Sequence, residues 1–405
     1  MDSWRTLYGY EMKKLLGRRS LWVVLGLCAA ILVFSILTGL MGSFYGGGET
    51  LGECYEIFTA ERKDRETVSG REIDQALLEE MAAAYRKIPP ERLREGYEKT
   101  EEYLAFAQPY CEIFDLVRAW TGMNLRAAVY WEPKEESLYE ARRWMVERYC
   151  RALGLSEEQK EFWMEKESRM PAPMRYVCND GYFMIMAVWP AAGMWMMLVA
   201  AVGMSGIFAE ERMRGTDRMI LACSKGRGSL YWAKLWAGVS LTAACALLMI
   251  AVAACSAFCI YGTGGFEAPI QFYFPYYAYP LTMGQACLIL CGIFVLTAVL
   301  DGIFVMVVSE LTGSFKTTLV LSMGIWGIDL AAIIVCVRNP QIPQIWQYMP
   351  TTCLWERAIF DMRPVMLLGH CFTLWQTVPA VQLFYGILAA LAGRLIYGRH
   401  QVRGA

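Results

Sequence analysis

The chain has 405 residues, 56% of them hydrophobic, and a formal net charge of −1. That near-zero charge hides a segregation: residues 43–181 carry 28 Asp and Glu against 20 Lys and Arg, and the rest carries 11 against 18. Soluble proteins rarely separate charge this way, whereas a membrane protein with an acidic outer domain and basic inner loops does.

Residues 1–20 read as a cytosolic, interfacial amphipathic helix. Trp4, Leu7, Tyr8, Met12, Leu15 and Leu16 fall on one face, and Arg5, Lys13, Lys14, Arg18 and Arg19 surround it. Residues 21–42 are the first span, too long for a signal-peptide core and without a small-residue cleavage site. The basic residues before it place its amino end in the cytosol.

Residues 43–181 are expected to form an extracytoplasmic, mostly helical domain. Ile73, Leu77, Leu78, Met81 and Tyr85 predict a helix over 71–88 that stops at Pro89-Pro90. A second follows over 91–120, bent at Pro109, and a third covers 134–155. Ser156-Glu-Glu-Gln159 opens a fourth as a capping box, which Met170-Pro-Ala-Pro173 ends. Cys54, Cys111, Cys150 and Cys178 lie here. On an oxidising side they allow two disulfides in any of three connectivities; in a bacterium without a periplasm they stay free.

The second and third spans, 182–208 and 235–261, flank a segment (209–234) with six Lys or Arg against three acids. Runs of ~20 apolar residues cross a bilayer, and cationic loops stay cytosolic. This loop has too little apolar mass to form a domain; it is where a soluble partner would grip. Phe272, Tyr273, Phe274, Tyr276, Tyr277 and Tyr279 make residues 262–283 an outer aromatic loop lying on the membrane. The fourth span (284–309), an inner turn (310–316) balanced by Glu310 and Lys316, and the fifth span (317–337) follow. An outer segment (338–377) with a helical piece around Leu354–Met362, the sixth span (378–397) and a cytosolic tail (398–405) complete the chain. The expected fold class is an all-α integral membrane protein with six transmembrane helices and both termini cytosolic. Gly203 and Gly206 in the second span, and Gly324 and Gly327 in the fifth, should pack against neighbouring helices.

Missing chemistry narrows the function. The fourteen cysteines are scattered and contain no C-x-x-C pair, so no metal site is expected. His370 and His400 are the only histidines, which rules out H-E-x-x-H chemistry and leaves a Ser-His-Asp site little to work with. Thr312-Gly-Ser-Phe-Lys-Thr317 lacks the first Gly of a phosphate loop and the Gly before its Lys. The chain is therefore not expected to be an enzyme or to hold a cofactor. Asp301 and Asp329 lie inside the fourth and fifth spans. A carboxylate in lipid costs at least ~2.5 kcal/mol, so such groups face a bundle interior or a cavity. They mark either a substrate or proton path, or acids neutralised or hydrogen-bonded between helices.

The order Glu210-Glu211, Gly215-Thr216, Ile220-Leu221, Ser224-Lys225 and Ala233-Lys234 resembles the inner loop of ABC-transporter permeases of the type 2 exporter family. The layout of the whole chain is similar to that family too. One departure is Cys223 before Ser224-Lys225, where the family usually has Pro. The resemblance implies an exporter permease in a bacterial plasma membrane. It would form a homodimer or heterodimer with a second permease, and a separate ABC ATPase subunit would supply ATP and Mg. Glu210, Glu211, Arg212, Arg214, Gly215, Thr216, Arg218 and Leu221 would form the coupling helix, the arginines offering charge pairs to the ATPase. No nucleic-acid partner is implied. The competing expectations are a membrane sensor or signalling protein with a ligand-binding extracytoplasmic domain, and a membrane-embedded enzyme. The first generally carries a cytosolic effector domain, and no inner segment here exceeds about thirty residues. The histidine shortage argues against the second.

Overall fold

The computed structural model describes residues 2–41, 48–92, 98, 100–216, 219, 228–338 and 344–399. Helix α1 (Asp2–Leu16) leads into α2 (Arg19–Thr38). Five helices without a crossing length of apolar residues follow: α3 (Leu51–Glu66), α4 (Gln75–Tyr85), α5 (Cys111–Thr121), α6 (Glu135–Ala152) and α7 (Glu157–Ser168). Then come α8 (Asp180–Met204), the short α9 (Ala209–Met213), α10 (Ser229–Tyr261), α11 (Met283–Thr312) and α12 (Phe315–Arg338). Two four-residue helices, α13 (Pro350–Cys353) and α14 (Glu356–Ile359), precede a hairpin of β1 (Val365–Leu367) and β2 (His370–Phe372), and α15 (Leu374–Gly398) closes the fold.

Among the described residues, six helices are long and apolar enough to cross a membrane: α2, α8, α10, α11, α12 and α15. Hydropathy marks where lipid is, not where the helix stops. Thus α10 begins at Ser229 rather than near Leu235. At 1.5 Å per residue its 33 residues reach about 50 Å, well past a hydrocarbon core of ~30 Å. The extra turns at its start carry Tyr231 and Lys234.

Helices α8 and α11 form the middle of the bundle; α2, α10 and α12 pack against α8, and α15 against α11. Helix α2 buries Leu21, Leu25, Cys28, Leu32 and Ile36, one stripe at three- and four-residue steps, while Val23, Leu27 and Phe34 face outward. An outward face that apolar suits lipid rather than water. Packing at glycine is uneven. A Cβ on Gly203 would meet Leu21 at 2.9 Å and one on Gly206 would meet the Arg18 guanidinium at 3.1 Å. One on Gly324 or Gly327 would meet nothing within 4 Å, so the expected packing role fails in α12.

Residues 43–181 do not form one self-contained domain. Val68, Ile73, Leu77, Met81, Tyr85, Phe114, Val117, Trp120 and Leu138 build a separate core. Cys54, Phe58, Val146, Cys150 and Trp163 instead join the core of the bundle. The helix expected over 91–120 is broken: a π-helical turn (Tyr103–Ala107) and a 3-10 turn (Gln108–Tyr110) precede α5. Pro109 lacks the amide that a regular helix needs. The capping box at Ser156 forms as expected, and a second at Thr50 with Glu53 starts α3, which the apolar spacing does not reveal.

The aromatic loop is also placed differently from expectation. Ile270, Gln271, Phe274, Ala278 and Tyr279 are buried between the bundle and residues of α5 to α7. Trp120 donates to the Pro275 carbonyl at 2.9 Å, Trp163 meets Tyr279 edge-on at 4.8 Å, and Tyr149 stacks on Tyr276. Ring area buried against ring area outweighs a place among headgroups. Beyond α12, the stretch expected to be helical near Leu354–Met362 is the pair α13 and α14, and the hairpin that follows departs from an all-α fold.

Candidate functional site

At one end of the bundle, which we term the basic end, α9 sits where α1, α8, α10 and α11 converge. Its glutamates are shared outward in two directions. Glu210 accepts from Arg18 at 2.8 Å and from Arg214 at 2.9 Å. Glu211 accepts from Lys14 at 3.2 Å and from Lys234 at 2.6 Å. Arg212 pairs with Glu310 near the end of α11. Backbone and hydroxyl bonds reinforce these pairs. Arg18 donates to the Gly203 carbonyl at 2.8 Å, Lys234 to Ile207 at 2.9 Å, and Ser309 Oγ bridges the Ser205 carbonyl and the Ala209 amide at 2.6 and 3.2 Å. Every element end at this junction is tied to another by at least one charge-assisted bond.

Lys234 is fully buried, lying 5.2 Å from the Phe208 ring centroid. An ammonium is kept charged in such a place only by close carboxylates; Glu211 touches it and the buried Glu11 lies near. Around it, Phe208, Tyr231 and Tyr397 form a three-ring cluster with centroids 5.6–5.7 Å apart, and Tyr231 donates to Ala390 of α15 at 2.6 Å. Helix α15 is thereby joined to the same junction.

Two glycines shape the turn ends. Gly215 has φ +66° directly after α9, a conformation costly to any side chain, yet open space surrounds its missing Cβ. The constraint there is backbone geometry alone. Gly313, φ +61°, ends α11, and a Cβ on it would meet Arg212 Cδ at 2.9 Å. The Thr312–Thr317 stretch is thus a helix-to-helix turn.

The structure brings the sequence-predicted residues Glu210, Glu211, Arg212, Arg214, Gly215 and Thr216 together here, Thr216 closing the turn onto the Glu211 carbonyl at 3.0 Å. Arg218 and Leu221 lie outside the described residues. The expected display of arginines toward a partner is corrected in one respect. Arg212 is consumed by Glu310, and of the described arginines here Arg214, with 70% of its side chain exposed, projects outward. Sequence reasoning missed Glu11, and gave Lys14, Arg18, Lys234 and Glu310 no partners. The available signals were an acid inside an apolar stripe (Tyr8, Met12, Leu15) and a lysine followed by a long apolar run. Each such charge needs a partner. Helix α1 packs along α10, with Trp4, Tyr10 and Leu16 left exposed.

The other predicted sites lie elsewhere. Asp301 accepts from Trp326 Nε1 at 2.9 Å, and Asp329 from the Thr351 amide at 3.2 Å and its hydroxyl. The four domain cysteines are free thiols, so the structure does not form the two possible disulfides. Burial pushes the Cys150 thiol up to about 11 and Cys178 up to about 12, which leaves both poor nucleophiles. Cys54 and Cys150 lie in the bundle core and Cys178 in the separate one.

At the opposite end, Arg65 of α3 bridges Glu112 of α5 and, at 2.8 Å, Asp180 at the start of α8. Tyr176 donates to Glu112 at 3.0 Å. Burial raises the Glu112 carboxyl above its ordinary range, against the opposing pull of Arg65. No known family model matches this sequence, and no curated protein is detectably similar to it.

Proposed function

We propose that this chain is the permease subunit of an ATP-binding-cassette exporter, moving a substrate outward with energy from ATP hydrolysed on a separate subunit. The basic end faces the cytosol on this reading, and the acidic residues 43–181 face outside. The observation that carries it is the convergence at α9. A five-residue helix that continues the chain from α8 and is followed by a positive-φ glycine is bonded to α1, the α1–α2 junction, α10 and α11. A push on α9 from below therefore reaches several crossing helices at once, which is what a chain without its own nucleotide chemistry requires. The order of residues in the 209–234 loop, similar to type 2 exporter permeases, supports the same reading. Two copies, or this chain and a sister, would pair in the membrane.

The test is co-purification of the full chain with a candidate ABC ATPase subunit from the same organism, with and without residues 210–221. Wild type should retain the ATPase and the deletion should lose it. Gly215→Trp should keep normal membrane insertion yet abolish transport-coupled ATP hydrolysis, because the side chain forces the turn out of its left-handed geometry. Wild-type coupling in that variant contradicts the role given to α9.

A further inference from the structure

We propose that the seam between α11 and α12 binds and passes protons, with Asp301 and Asp329 as its two carboxyl stations. This goes beyond the exporter reading and does not rest on ATPase coupling; it requires only that the two helices cross a membrane.

The amphipathicity of α12 is inverted. Thr318, Ser322 and Asp329 are buried, whereas Val320, Leu321, Met323, Ile325 and Ile328 are exposed. With Trp326, which is partly buried, they recur at steps of four, four and three residues and so share one face. Apolar residues facing outward suit lipid and hydroxyls suit a helix interface; what sets this face apart is that it also carries a buried carboxylate and meets a second one on α11. The bond from Trp326 to Asp301 shows that this polar face meets α11. Asp329 lies three residues beyond Trp326 on the same face of α12.

Asp301 Oδ2 and Asp329 Oδ1 are buried and make no hydrogen bond of normal geometry, although the Trp346 indole N–H faces Asp329; the hydroxyls of Ser322 and Thr352 are likewise unpartnered. Asp301 is 1% exposed and Asp329 8%. Among the described residues, no lysine or arginine pairs with either, and the titratable group facing the pair is the Cys353 thiol of α13, toward Asp329. An isolated ionised carboxylate in a low-dielectric interior neutralises rather than stays charged. The step is the protonation of a carboxylate to a carboxylic acid, one proton on each free oxygen, with nothing oxidised or reduced. Hydroxyls can both accept and donate such a proton: Thr351 bonds Asp329 directly, and the Thr312 and Thr318 hydroxyls, 2.6 Å apart, lie on α11 and α12 toward the basic end. A proton suits the site better than a divalent ion. No three acidic, His or Cys groups converge among the described residues, and a hard divalent ion takes six or more oxygens.

Infrared difference spectroscopy on the full chain in lipid nanodiscs tests this. At neutral pH the carbonyl bands of protonated carboxyls should be present and should shift on transfer to D2O. Asp301→Asn should remove one band and Asp329→Asn another, since Asn retains the acceptor oxygen used by Trp326 or Thr351. Bands that do not shift in D2O, or spectra unchanged in both variants, overturn the proposal. Each variant is checked by its elution profile; should one fail to fold, deuterium exchange of the wild type and the other variant decide. Loss of ATPase co-purification would leave these bands intact, so failure of the exporter reading is separable.

Discussion

The two ends of the bundle are held by different physics. At the end covered by residues 43–181, one arginine bridges two carboxylates, and a separate mass of buried rings there includes Trp163, Phe274 and Tyr279. At the basic end, α9 contributes five residues and little apolar area, and bonds between side chains of opposite charge do the holding. Buried area resists displacement whatever the surroundings, whereas the more exposed ion pairs, Lys14 with Glu211 and Arg214 with Glu210, can be exchanged for pairs with water, salt or another protein. On the exporter reading, the basic end is then the movable one and the other end the fixed one.

Breaking the fixed end should have the largest effect. Arg65→Ala strands Glu112 and Asp180 in a buried site, and loss of one partner of a buried ion pair costs about 3–5 kcal/mol. Thermal unfolding of the purified protein should show this as a large drop in Tm; an unchanged Tm would remove Arg65 from the account. Lys14→Ala, at the movable end, should cost less, about 1 kcal/mol or under. Glu211 keeps Lys234 as a partner in that variant, and the same melting experiment compares the two directly.

A smaller, pH-dependent effect sharpens the comparison. Glu112 titrates above its ordinary 4.5 because burial outweighs the attraction of Arg65. The folded state therefore holds this proton more tightly than the unfolded chain. The stability it contributes is complete below pH 4.5 and is lost as pH rises through the raised value. Tm should fall with pH across that window, and Glu112→Gln, which stays neutral, should flatten the slope. An identical slope in wild type and variant would assign the dependence to Glu61 and Asp115, whose carboxyls burial also raises.

The crossing helices are legible in the sequence because lipid demands about twenty apolar residues in a row, a signal few other structures mimic. Local chemistry is equally plain at Ser156, where a hydroxyl and an amide three residues apart cap α7. What is not legible is where faces meet. The rings of residues 272–279 look the same whether they end among headgroups or against Tyr149 and Trp163. Nothing in the spacing of Cys54 and Cys150 says that they join the bundle core. At the candidate site, Glu210 and Glu211 stand out in the sequence, but their partners lie 192 and 197 residues away in Arg18 and Lys14. Ion pairs across such distances leave no periodicity, so only the assembled fold reveals that Arg212 is already paired and that Glu11 and Lys234 share a buried pocket.

The central claim is that the movable end faces the side where ATP is found and the fixed end faces outside. Single cysteines at Arg214 and at Tyr130, both well exposed, test it over the background of the native thiols. A membrane-impermeant thiol reagent added to intact cells should label Tyr130→Cys at once and Arg214→Cys only after permeabilisation. Labelling of Arg214→Cys in intact cells, with Tyr130→Cys protected, would contradict the account.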